Sequence, residues 1–279
     1  MKKRCASVIL AAALIFALLS GCGTSPQPET GEPAVEAAVI SALLDQAGSG
    51  YYPGECVAEG HEILDIVREE DRWQVYLIAS VGQYGFCTGH FEEISGSGAI
   101  PTRITFAEEN GALVVEDYWQ PEDGSYYADS IKETFPLTLQ LQAFSAQDFY
   151  DGLKEQKQAY AAAYLESIGR EAPVGAYGDF DHPLFTDLGM SVAVSNELLA
   201  IEKLYNFPFY IGNVERVEDG VRWVYETVWN SPGDGTGTAV YTKKNYETGE
   251  VDQQYVYLVD GDRCQEAIPQ GPGPNAPAD

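Results

Sequence analysis

Residues 56–86, CVAEGHEILDIVREEDRWQVYLIASVGQYGF, decide the fold. Two strand-like runs, 56–67 and 73–86, are rich in Val, Ile, Leu and Tyr and flank the charged turn Arg68-Glu69-Glu70-Asp71-Arg72. β-branched and aromatic residues on either side of a short polar turn predict an antiparallel hairpin. Downstream, 102–108 and 112–119 flank Asn110-Gly111, a dipeptide that takes the positive φ angles of a two-residue hairpin turn. The segment 87–98 adds a further strand. Upstream, Val35, Val39, Ala42 and Leu43 share one stripe and predict a helix over 34–46. A second helix is expected from Ser145, as N-cap, to about Ile168, with Asp148 supporting the first-turn amides and Leu153, Tyr160, Tyr164 and Ile168 at helical spacing. These elements make a first unit over 34–170.

A second unit is expected over 176–264. Its helix, 195–205, starts at Ser195 as cap, and strands 208–217, 221–230, 238–246 and 251–259 turn at Asp219-Gly220 and Glu247-Thr248-Gly249. Both units then run helix, hairpin, hairpin. Residues 66–73 and 217–223 are faintly alike, through a decayed duplication or through hairpin composition alone. The class is α+β: two units of helix plus antiparallel hairpins, with each sheet covered on one face by helices. Eighteen tyrosines against two methionines lean the same way, since tyrosine fits half-buried strand faces.

Further outward the composition changes. Lys2, Lys3 and Arg4 precede an almost unbroken apolar run, Ala6 to Leu18, and then Leu19-Ser20-Gly21-Cys22. That run is too short to span a bilayer and reads as a secretory signal, residues 1–21. The Leu-Ser-Gly-Cys ending matches the bacterial lipobox, which makes Cys22 the lipidation site, with acyl chains such as palmitate. The expected location is the extracytoplasmic face of the cell membrane, held by lipid. Residues 22–33 read as a tether and 265–279 as a disordered tail, because proline, glycine and small polar residues bury no core. Beyond the signal, 13 basic residues face 43 acidic ones, a net charge of −30. Such a surface repels nucleic acid and anionic headgroups, so neither is expected as a partner.

Few groupings promise chemistry. His61-Glu62-Ile63-Leu64-Asp65 falls one residue short of the His-Glu-x-x-His zinc pattern, and it lies in a strand, where His61 and Asp65 stand too far apart to grip one metal. His90 and His182 have no ligand set beside them in the sequence. Gly233-Asp234-Gly235-Thr236-Gly237 joins two strands and opens no helix, which argues against phosphate binding. Gly96-Ser97-Gly98 lacks the Gly-x-Ser-x-Gly elbow. The turns Glu122-Asp123-Gly124 and Asp260-Gly261-Asp262 lack EF-hand spacing, which makes them solvated turns ahead of weak calcium sites. No metal, no cofactor and no catalytic residue are expected. If the first hairpin turns at Asp71-Arg72, Cys56 and Cys87 face each other at its open end. A disulfide is then expected between them, two buried thiols being the alternative, with Cys264 left over.

One resemblance adds to this. The stretch 115–136, VEDYWQPEDGSYYADSIKETFP, resembles the extracytoplasmic region of clostridial membrane metallopeptidases of the β-lactam-sensor type and of related lipoproteins. The Tyr-Trp-x-Pro-x-Asp-Gly-Ser-Tyr-Tyr core carries the match, which extends over residues 34–170. It implies an accessory or sensor module. It does not imply peptidase activity, since the zinc motif of those proteins is missing. Tyr118, Trp119, Tyr126 and Tyr127 are the candidate binding residues, able to stack on a sugar or peptide. The alternative is that the rings close the end of the sheet. The functional expectation is a membrane-anchored, non-enzymatic binding or sensory module with an unidentified protein or small-molecule ligand. Its rivals are an envelope hydrolase and a structural or inhibitor-like interaction protein.

Overall fold

The computed structural model describes residues 32–267. The signal segment, Cys22, most of the tether and the tail beyond Ala267 lie outside the described residues. The elements are α1 (Glu32–Gly50), β1 (Cys56–Glu69), β2 (Arg72–Cys87), β3 (His90–Gly96), β4 (Ile100–Glu109), β5 (Ala112–Trp119), α2 (Tyr127–Thr134), α3 (Gln140–Phe144), α4 (Tyr150–Ser167), β6 (Val174–Ala176), α5 (Val192–Leu199), β7 (Gly212–Glu218), β8 (Val221–Asn230), β9 (Thr236–Asn245), β10 (Val251–Asp260) and β11 (Arg263–Glu266). The fold is α+β. Gln265 and Glu266, assigned by sequence to the tail, belong to β11, which pairs with β10. Two compact units form: 32–84 with 91–177, and 85–90 with 178–267.

In the first unit β2 is central. It pairs antiparallel with β1 and, over Arg72–Ala79, with β4. β4 and β5 close through Asn110 (φ 53°) and Gly111 (φ 80°), the conformation that dipeptide favours. β3 makes a short parallel pairing with β6. Alternate residues of β2 serve two cores. Val75, Leu77, Ala79 and Val81 pack with Ile104, Phe106 and the α1 stripe Val35, Val39, Ala42 and Leu43. Tyr76 meets Ile131, Phe135, Leu139 and Ala143 of the α2–α3 region, and Ile78 meets Ala146 and Leu153. Helices therefore lie on both faces of this sheet, where the sequence pattern pointed to one. That is why residues 75–84 of β2 are continuously buried instead of alternating.

The structure corrects three local expectations. The helix expected from Ser145 begins as a 3-10 turn without a side-chain cap, and α4 proper starts at Tyr150. Its buried stripe is Leu153, Lys157, Ala161 and Leu165 at four-residue spacing, while Ile168 stands 37% exposed. The second unit's helix is capped by Ser191, whose Oγ accepts the Val194 amide at 3.3 Å, and Ser195 is buried inside it.

The second unit is an antiparallel succession β7-β8-β9-β10-β11, with the end of β2 alongside β7 at Cys87↔Val214. One face packs under α5 and its flanking turns. Phe207 sits edge-on to Tyr225, Tyr241 and Tyr255, with ring centroids 5.2, 5.5 and 6.1 Å away. Val194, Leu198, Trp229, Tyr257 and Val259 complete that core.

Cys56 and Cys87 are not bridged; both are buried thiols. The hairpin turns at Glu70-Asp71, one position earlier than the pairing required, and a register shift between Ile63 and Asp65 moves the strands once more. Cys56 consequently faces Tyr84, while Cys87 faces Val214 of β7.

Candidate functional site

The four candidate aromatic residues separate. Tyr118 leaves β5 toward the α1-side core, and burial, with Tyr51 adding to it, pushes its hydroxyl up to about 12. Trp119 and Tyr127 pack on the opposite core, Trp119 with its ring centroid 5.9 Å from Phe135. Tyr126 alone is open, at 66% exposure. The 3-10 turn Gly124–Tyr126 and Gly124 (φ 71°) present it ahead of α2.

The histidines are all engaged inside the fold. His61 is buried on β1. Its Nδ1 donates to Glu59 Oε2 at 2.8 Å and its Nε2 to Glu36 Oε1 of α1 at 3.2 Å. Burial opposes charge on the ring, but the hydrogen bonds to Glu36 and Glu59 outweigh it and raise the pKa to about 9. His61 is therefore an imidazolium at neutral pH. Glu36 is held below its ordinary value by the hydrogen bond to His61. Tyr160 of α4 is pushed upward by burial and the neighbouring Glu59 charge. The two carboxylates occupy opposite nitrogens, so they pin the ring instead of converging on a cation. Glu62 is exposed, and Asp65 accepts the Ile66 amide at 2.9 Å. His90 stacks on Phe180 at 4.0 Å and His182 meets Tyr210 edge-on at 4.7 Å. Among the described residues no three His, Cys, Asp or Glu side chains form a group able to hold a metal.

The remaining sequence candidates serve local structure. Ser97 Oγ accepts the Val81 amide at 3.0 Å. Asp234 accepts from the Thr236 amide and hydroxyl, closing the glycine-rich loop on itself. That loop and Asp187, Leu188 and Trp229 border an open cleft of about 480 Å³, where the Trp229 indole already donates to Leu188 O at 3.1 Å. The Cys56 thiol is raised to about 12 by burial and the Glu55 charge, and so carries no reactive thiolate.

A buried ion pair and an open apolar stripe were both missed by the sequence reading. Lys157 of α4 is fully buried and donates to both oxygens of Glu93 on β3, at 2.7 and 2.9 Å. Glycines make room for that carboxylate: a Cβ on Gly96 would come within 2.3 Å of Glu93 Oε1, and one on Gly82 within 3.0 Å. The signal was present, since Lys157 falls four residues after Leu153 and four before Ala161 on the stripe that packs.

The stripe lies around α3. Leu139 and Ala143 point into the core, at 8% and 0% exposure, whereas Leu137, Leu141 and Phe144 stand outward at 84%, 77% and 44%. A surface helix needs one apolar stripe to dock on its own fold. The turn and α3 together show a second apolar set beyond the one that packs. Gln140 fixes the segment by donating to Lys132 O at 3.2 Å and Phe135 O at 2.9 Å. Comparison of the chain with family models, with curated proteins and with solved structures gives no match.

Proposed function

We propose that this chain is an extracytoplasmic, lipid-anchored lipoprotein that acts as a non-enzymatic binding or sensory module. The observation that carries the reading is the N-terminal order: Lys2-Lys3-Arg4, the apolar run Ala6 to Leu18, then Leu19-Ser20-Gly21-Cys22. The resemblance of residues 115–136 to sensor-associated extracytoplasmic segments supports a binding role. So does the engagement of His61, His90 and His182 in internal contacts, which leaves those rings committed to the fold. In this reading lipid on Cys22 is the tether; among the described residues no helix is long and apolar enough to cross a membrane. In cells fed a labelled fatty acid, the wild-type chain incorporates label and stays with the membrane. Cys22→Ala loses the label and is either released or retained with its signal uncleaved. Undiminished labelling of Cys22→Ala overturns the assignment.

A further inference from the structure

We infer that the outward-facing Leu137, Leu141 and Phe144 are a docking surface for a basic amphipathic helix of another protein, the partner laying its own apolar stripe across α3 and the turn before it with lysines or arginines at the margins. The inference rests on the binding-module reading and adds to it a surface and a partner chemistry.

Three observations support it. Leu141 and Phe144 lie three residues apart on α3, and Leu137 in the turn that leads into it, so one short segment offers three apolar anchors of the kind an amphipathic helix meets. Leu139, Ala143 and Ala146 supply the buried contacts of the same segment, while Leu137 and Leu141 stay largely in solvent and Phe144 partly so. Exposed leucines at 84% and 77% are the unpartnered apolar surface that marks an interaction site.

Charge selects the occupant. Residues 121–153 hold Glu122, Asp123, Asp129, Glu133, Asp148 and Asp151. Their only cation is Lys132, and Asp129 already binds it at 2.9 Å. A second copy of the chain would set these carboxylates against their own kind, and an anionic bilayer would repel them. A partner with basic margins gains from the same field, which steers encounter as well as register.

The probe is a synthetic helix of leucine and lysine, leucines at three- and four-residue spacing, offered to the intact lipidated chain in zwitterionic vesicles. Saturable micromolar binding is expected, weakening as salt rises, and a version with glutamate for lysine should not bind. Combining Leu137→Asp with Leu141→Asp should weaken binding at least about tenfold with an unchanged circular dichroism spectrum. Two added carboxylates would strengthen a merely electrostatic association, so this loss reports the apolar anchors. Equal or tighter binding by the double variant, no saturable binding by wild type, or equal binding of the glutamate peptide overturns the proposal. So does self-association of wild type in sedimentation that Leu141→Asp abolishes. A photo-crosslinking residue placed in cells at position 141, or at the second unit's exposed Leu258 (45%), separates the two readings. Adducts at 258 without adducts at 141 overturn this surface and leave the binding module standing. Adducts at neither overturn both.

Discussion

The two units treat their sheets differently. In the first, helices enclose both faces, and residues 75–84 of β2 are buried without a break. In the second, the middle of β8 alternates: Tyr225, Thr227 and Trp229 are buried while Glu226 and Val228 between them are half-exposed. Enclosure on two sides has a chemical consequence. The first unit buries Glu59, His61, Glu92 and Lys157, and a charge out of water persists only when it is paired and hydrogen-bonded. The second unit's Lys243–Glu218 pair is less enclosed. Lys243 lies 4.5 Å from the Trp223 ring centroid and bonds Glu218 at 2.9 Å, with the two side chains 12% and 38% exposed. Similar ion pairs should therefore differ in energetic weight.

Lys157 gives the largest expected effect. Lys157→Ala leaves the Glu93 carboxylate among glycine backbones without its cation, and should cost about 3–5 kcal/mol in urea unfolding. Combining Lys157→Met with Glu93→Gln should restore much of that loss, because the penalty lies in the orphaned charge. A cost for Lys157→Ala below about 1 kcal/mol would mean water reaches the pair, and the contrast between the units would collapse.

His61 sets the pH dependence of the first unit. Its pKa is raised from 6.5 to about 9, so the folded state holds a proton that the unfolded chain releases. The stabilisation is fully present below 6.5 and is lost as pH rises from 6.5 through about 9. In all it amounts to roughly 3 kcal/mol. Glu36 is shifted downward and titrates on the acid side of that window, while Tyr160 is shifted upward and ionises on its alkaline side. Urea midpoints measured across the window should fall for wild type and flatten for His61→Gln. A wild-type profile as flat as that of His61→Gln would show that folding does not raise the proton affinity of the ring.

Lys243 is the counterpart in the second unit. Hydrogen bonds to Glu218 and Tyr225 raise its pKa despite its loss of hydration, yet the Glu218 side chain remains 38% exposed. Lys243→Met keeps contact with Trp223 and should cost no more than about 1 kcal/mol in thermal unfolding. A loss as large as that for Lys157→Ala would erase the distinction between an enclosed and an open face.

The parts of this architecture that follow from neighbouring residues were legible in the sequence. Asn110-Gly111 and Asp219-Gly220 adopt the paired positive φ angles their chemistry favours, and the α1 stripe is buried as its spacing required. What depended on distant partners was not legible. The Cys56–Cys87 pairing failed because a turn one position earlier and one register shift moved every facing pair along the hairpin. The His61 clamp joins residues 36, 59 and 61, which share no local pattern. The aromatic segment was visible as a segment, but only the sheet decides that Tyr118 faces one core, Trp119 the other, and Tyr126 solvent. In LTLQLQAF, residues 137–144, the leucines alternate along the chain, and only the turn and short helix they fold into decide that Leu139 is buried while Leu137 and Leu141 are exposed.

That local geometry supports the smallest expected effect, which is also the sharpest comparison because it lies within one short segment. Leu139 and Leu141 are two positions apart and chemically identical, yet 8% and 77% exposed. Leu139→Ala opens space between Tyr76, Ile131 and Phe135 and should cost about 2–3 kcal/mol. Leu141→Ala removes methyl groups that water already surrounds, so its cost should stay within about 0.5 kcal/mol. Paired urea titrations of the two variants give the difference directly. Equal costs would place Leu141 inside the fold and remove the reason to regard its side of α3 as a surface held open for another molecule. A negligible cost for Leu141→Ala beside a clear one for Leu139→Ala would leave the exposed leucine without a role in stability, as a contact reserved for a partner requires.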